Sequence, residues 1–192
     1  MPFPDEPLGQ RVEVVPYQAA WAGEGALLAA RLREMLPGAI SVQHIGSTSV
    51  PGLAAKDCID LMVQVRDLDR CGVAAVLERY GYRRRPEPWN QQEVSFGTIC
   101  RKQVFGPAVG GRACNIHVRE HGSANVQYAL LFRDYLTSDS RAARAWGQFK
   151  IRLARSVTDL ADYGQIKAPA QEILMQSAQR WARDRRWQAQ PP

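Results

Sequence analysis

A chain of 192 residues, 45% of them hydrophobic, is long enough to bury one core without disulfide or metal staples, and the length argues for a single domain over 1–192. The formal net charge of +6 favours an anionic partner over a cationic one. No apolar run reaches membrane-spanning length, and residues 1–10 are polar and acidic, which excludes a membrane span and a secretory leader as expectations.

The four cysteines, Cys58, Cys71, Cys100 and Cys114, form no C-x-x-C pair, and the three histidines complete no zinc spacing. Reduced thiols of a cytoplasmic protein are the expectation. Part of the basic excess sits in Arg180, Arg183, Arg185 and Arg186, the pattern of a solvated helix face. No nucleic-acid recognition motif or basic–aromatic stripe accompanies it, so a small anionic molecule is the expected partner.

In chain order, 1–10 reads as loosely attached and 12–15 as a short strand ended by Pro16. Residues 21–36 read as a helix with Leu28, Leu32, Met35 and Leu36 on one face, stopped by Pro37-Gly38. In 40–44, Ile40, Val42 and His44 alternate with polar residues, the period of a half-buried strand. A loop rich in Gly, Ser, Thr and Pro follows. Residues 58–65 then form a second, more continuously apolar strand, interrupted by Asp60. A carboxylate inside such a strand is costly unless it is paired or bound to a metal.

Residues 67–80 read as a helix capped by Asp67 and closed by Gly81. Residues 82–89, with Pro86 and Pro88, suggest an irregular edge strand and loop. Residues 93–102 have strand alternation, 106–111 a turn, and 113–119 a further strand. The rest reads as helical: 124–136, then 139–157 capped by Ser138. After a break at 162–164, a last helix has Pro169 in its first turn and runs toward Trp187, with 188–192 frayed. Strands interleaved with helices, then a helical third over 123–187, imply an α/β (α+β) sheet with helices packed on it.

Gly46, Ser47 and Thr48 have the residue types of an anion cradle, with close backbone approach, N–H groups and hydroxyls. Lys56 adds a positive charge to the same loop, or lies along the surface. Asp60 is the candidate metal ligand or general base; the alternative is a buried acid bonded to the loop before it. By strand parity His44 would face the same cleft as Gly46, as proton carrier or as a structural hydrogen-bonding group. Asn115 and His117 share a strand face.

The phrase H-I-G-S-T-S-V-P-G-L-A-A-K-x-x-I-D at 44–60 resembles the hallmark of the GrpB-like family of the nucleotidyltransferase superfamily. So do Pro16-Tyr17-x-x-x-Trp21, Leu130-Leu131-Phe132-Arg133-Asp134-Tyr135-Leu136, and Tyr163-Gly164-Gln165-x-Lys167. The resemblance implies a small mixed sheet flanked by helices. It implies a Gly-Ser pair (Gly46, Ser47) holding the phosphates of an NTP such as ATP, and Asp60 holding magnesium. His44 and His117 would handle protons, and Arg133 and Lys167 would fix an anionic group, Lys167 from near a helix N-terminus.

Two departures stand out. The superfamily's second strand acid, two residues before Asp60, is Cys58, and Asp57 has the wrong parity to replace it. The family's His-x-His on the later strand is Asn115-x-His117. Three functions follow as expectations: nucleotidyl transfer to a small acceptor, nucleotide-independent acid–base chemistry in the same cleft, or a non-catalytic assisting module like those fused to a kinase of the CoA pathway.

Overall fold

In a computed structural model, residues 11–189 are described; the expectations for 1–10 and for 190–192 lie outside them. Helix α1 (Ala20–Met35) is followed by strands β1 (Ser41–Ile45) and β2 (Ile59–Val65), helix α2 (Val73–Arg79) and strand β3 (Arg83–Arg84). Strands β4 (Gln92–Ser95), β5 (Thr98–Arg101), β6 (Gln103–Gly106) and β7 (Cys114–Glu120) come next. Helices α3 (Ala124–Ser138), α4 (Ser140–Ser156) and α5 (Leu160–Arg185) complete the order. Five strands form one mixed sheet, β1-β2-β7-β6-β3, in which only β2 and β7 run parallel; β4 and β5 pair separately. This is the expected α+β architecture.

The inner strand β2 is covered on both faces, which is why its sequence is nearly all apolar. On one face Leu61, Val63, Ile116, Val118 and Phe105 pack against Trp21, Leu28 and Leu32 of α1 and Leu77 of α2. On the other, Ile45 and Met62 meet Val126 and Leu130 of α3. Helices α3, α4 and α5 then close their own cluster, Leu131, Tyr135, Trp146, Met175 and Ala178, over Val50 and Leu53 of the loop between β1 and β2. That loop is therefore clamped between sheet and helices.

Several elements differ from the expectations. The strand at 12–15 is a single bridge, Val15 with Ala55. Helix α2 starts at Val73 because Asp67 caps a turn instead, its Oδ1 accepting from the Asp69 and Arg70 amides. The stretch 93–102 is a hairpin whose two-residue turn, Phe96-Gly97, has φ of 51° and 76°. Such a turn matches strand twist, and a Phe in it costs on the order of 1 kcal/mol. The Phe96 ring rests 5.3 Å from that of Tyr128. Strand β6 was hidden in a segment read partly as turn.

Asp139, not Ser138, caps α4. Helix α5 runs through 162–164 without a break and holds Pro169 inside it. It is pinned at both ends, by Tyr163 against Val12 and Leu153 and by Met175 and Ala178 against α3 and α4, so packing overrides the local signal. Ala189, expected to fray, packs with Trp187 against α3.

Helix α1 crosses β1 at Gly25, where a Cβ would fall 2.2 Å from His44 Nδ1. Gly25→Ala gains about 1 kcal/mol of helix propensity but drives a methyl into a rigid ring, an overpacking cost of about 1–3 kcal/mol. A net loss of stability, read as a lower denaturant midpoint at unchanged m-value, is the expected outcome; an unchanged or higher midpoint would contradict this packing.

Candidate active site

Cross-strand pairing sets Ile45 opposite Asp60, so the chain turns off β1 directly above the carboxylate. Gly46 makes that turn with φ of 72°, and a Cβ on it would sit 2.5 Å from Asp60 Oδ2. Both the positive φ and the close approach demand glycine. The bend and the aspartate thus meet, and the Asp60 side chain keeps 30% exposure.

Asp60 shares its sheet face with Cys58, Asn115 and His117. Asn115 Nδ2 donates to Asp60 Oδ1 at 2.9 Å. His117 Nε2 stands 3.7 Å from the same oxygen, an electrostatic contact rather than a hydrogen bond. Burial alone would raise the Asp60 pKa; the His117 ring, the Asn115 amide and the charge of Lys56 outweigh it and hold it at about 2. Asp60 is therefore ionised at neutral pH.

His117 is pushed the other way. Burial lowers its pKa against the pull of Asp60, and Arg119 lowers it further, so the ring is neutral at neutral pH. Its Nδ1 is buried with no partner among the described residues. Behind it, Arg119 and Lys102 clamp Glu93 of the β4–β5 hairpin at 2.9 and 2.8 Å, which fixes the hairpin on this face of the sheet.

Ser47 and Thr48 continue the bend as a short 3₁₀ turn. Thr48 was expected in the phosphate cradle. Its side chain is instead buried, its hydroxyl 2.9 Å from His44 Nε2 and 3.4 Å from the Cys58 carbonyl, to which it donates. His44, expected to look into the same cleft as Gly46, pairs with Leu61 and faces α1, because strand parity puts it opposite to Asp60. It braces Thr48 from below. Burial lowers its pKa, opposed by Asp60 and assisted by Arg133.

Arg133 is also committed within the protein. Its Nε donates to Asp134 at 2.8 Å and its Nη1 to the His44 carbonyl at 3.3 Å, while Asp134 accepts from Trp187 Nε1 at 3.0 Å. The guanidinium ties α3 to the end of β1 rather than reaching for a ligand.

Sequence reasoning missed Lys150. Helix α4 buries Ala143, Trp146, Gly147, Lys150, Leu153 and Ala154, one stripe at helical spacing with a lysine inside it. A lysine in an apolar stripe was the available signal. Gly147 lets α4 approach the loop, where a Cβ would already touch Ala54 at 3.5 Å. Nearly one turn on, Lys150 Nζ donates to Ser47 Oγ at 2.7 Å, with only 3% of the residue exposed. Among the described residues no carboxylate lies within ion-pair distance of it. Burial, then the nearby Lys167, push its pKa down to about 7 against the pull of Asp60.

Lys167 lies inside α5 rather than at its N-terminus. Its Nζ sits 5.8 Å from the centre of the Tyr163 ring. Burial lowers its pKa, opposed by Asp60 and assisted by Lys56. Lys56 itself is exposed at the loop's end. Lys56, Lys150 and Lys167, from a loop and two helices, thus each act electrostatically with Asp60, and Lys150 bonds the Ser47 hydroxyl.

Two hollows lie elsewhere. One, between Arg33 and Gln43, and another, among Leu28, Tyr80, Tyr82 and Arg112, lie outside this constellation of residues.

Comparison with known proteins places this geometry. The chain is 31% identical over 193 residues to a dephospho-CoA kinase of Mycobacterium tuberculosis, covering 91% of this chain and 47% of that protein. It is 28% identical to the UPF0157 protein YqkA of Bacillus subtilis, covering 92% of this chain and 50% of that protein. It spans about half the length of these curated relatives. The crystal structure of conserved protein GrpB from Enterococcus faecalis matches with a TM-score of 0.70 and 28% identity, over 88% of this chain and 99% of that one. Cid1 poly(U) polymerase, bound to Mg 3'-dATP, shares the fold with a TM-score of 0.53 at 15% identity, over 79% of this chain and 49% of that one. The family model described as GrpB protein matches residues 11–177, and the chain belongs to the GrpB family, on a nucleotidyltransferase-like fold.

Proposed function

We propose that the cleft binds the phosphates of a nucleoside triphosphate and that the chain is a nucleotidyltransferase-type enzyme acting on a small acceptor. The observation that carries this reading is Lys150, buried 2.7 Å from Ser47 Oγ without a carboxylate partner among the described residues. A buried ammonium in that state is costly, and an incoming phosphate offsets the cost. Ser47 supplies a hydroxyl, and Lys56 and Lys167 extend the positive lining. The shared fold, in which Cid1 binds a nucleotide, supports the same reading.

In such a transfer the acceptor oxygen attacks the α-phosphorus, the bond from that phosphorus to the bridging oxygen breaks, and pyrophosphate leaves. The lysines face the charge that develops on the leaving group. His117, neutral at neutral pH, takes the acceptor's proton, and the Asp60 carboxylate beside it stabilises the imidazolium that results. Asn115 positions that carboxylate.

The expected magnesium fits these residues poorly. Cys58, in the second acid's place, is a neutral thiol, burial and then Asp60 pushing its pKa up to about 12. No group of three or more His, Cys, Asp or Glu side chains among the described residues is placed to hold a metal ion. Asp60 is left as a lone carboxylate among ammonium groups, and no step above runs through a metal.

Titration with ATP tests the binding. Lys150→Met, which keeps volume and removes charge, is expected to weaken ATP at least about tenfold, roughly 1.4 kcal/mol, while leaving the fold intact. Wild-type and variant affinities that agree would contradict the reading.

The pH dependence has a defined sign. The folded Lys150 pKa of about 7 lies below the ordinary 10.5, so between these values the unfolded chain holds more protons. Stability of the ligand-free protein therefore rises with pH across that window. Melting curves of Lys150→Met are expected to lack that rise; an identical slope in both proteins would contradict the burial of a titrating amine.

A further inference from the structure

We propose that this cleft takes its polyphosphate ligand without a divalent cation, its lysines carrying the charge that a metal would bring. The proposal rests on the nucleotide reading above and specifies how the ligand's charge is met.

The donor set argues first. A hard divalent cation takes oxygen lone pairs. At the three positions flanking the bend the chain offers Asp60, Cys58 and Asn115, one carboxylate in all. Asn115 turns its Nδ2 toward the others, 2.9 Å from Asp60 Oδ1 and 3.4 Å from Cys58 Sγ. The orientation is fixed, because the amide oxygen would repel the carboxylate if it pointed there. An N–H donor therefore occupies the space between the two side chains that would have to share an ion. Its hydrogen bond also consumes one of the Asp60 oxygens.

The nearest other acid is unusable. Asp57 faces away, toward α1, where its Oδ1 accepts from Trp21 Nε1 at 2.7 Å and pairs with Arg112, which is held in turn by Glu24. The acid is committed to joining the loop to α1 and to the segment before β7, and no backbone shift short of unpicking that corner brings it round to the cleft.

Charge argues second. Lys56, Lys150 and Lys167 each sense Asp60, and Lys167 senses both of the others or is sensed by them. With a phosphate bound and the lysines protonated, their positive charge exceeds that of the one carboxylate and stands in for a metal's. Ammonium groups that act on one carboxylate repel a metal cation there and attract a phosphate. Phosphate binding also draws a proton onto Lys150, which couples tighter binding to lower pH across the range above about 7.

Calorimetric titration of the full chain with ATP and with sodium tripolyphosphate, each in EDTA and in excess magnesium, decides the matter. Both ligands are expected to bind in EDTA, at least as tightly as with magnesium. Lys150→Met is expected to weaken both by about tenfold or more, and Asp60→Asn to leave binding in EDTA unchanged or tighter. Binding that appears only with magnesium and vanishes in Asp60→Asn would overturn metal independence and leave the nucleotide reading standing. No binding of either ligand under any condition would remove the nucleotide reading, and this inference with it.

Discussion

The close packing of Gly46 on Asp60 governs the geometry of everything around it. The bend leaves β1 at the residue paired with Asp60, and the absence of a side chain at 46 lets backbone and carboxylate touch. From that contact the rest follows in order. Ser47 is delivered to α4, Thr48 turns inward to be gripped by His44 and the Cys58 carbonyl, and Val50 and Leu53 enter the helical cluster. This bend is thereby held by the hydrophobic core on both sides, and its geometry is paid for by burial that has nothing to do with ligands.

The residues expected at the site divide into two classes. Gly46, Ser47, Asp60, Asn115 and His117 gather at the bend, whereas Thr48, His44 and Arg133 brace it. Each of the latter is hydrogen-bonded to protein partners, and a group already bonded in the interior has little to gain from a ligand. Lys150 is the reverse case. It is as buried as the apolar residues of its stripe, yet among the described residues its hydrogen bond is to a neutral hydroxyl.

Much of this was legible in the amino-acid order. The pair of strands, the bend between them and the isolated aspartate could be read from alternation and from glycine, serine and proline, because those signals are local. The helical last third was also legible from its periodicity. What could not be read depended on contacts distant in sequence. Strand parity alone pointed His44 and Gly46 the same way, but the chain leaves the strand at Gly46 and parity no longer applies. Pro169 reads as a helix start, yet packing at both ends of α5 carries the helix through it. Lys150 lies 103 positions from Ser47, and only the approach of α4 at Gly147 brings them together.

The central claim is that Ser47 and Lys150 are two sides of one phosphate site. A crystal structure of the chain with a bound nucleoside triphosphate tests it most directly. The account predicts a phosphate oxygen within hydrogen-bond distance of both Ser47 Oγ and Lys150 Nζ, drawing on the contact that now joins them. A nucleotide seated elsewhere, with that pair still bonded at 2.7 Å, would contradict it.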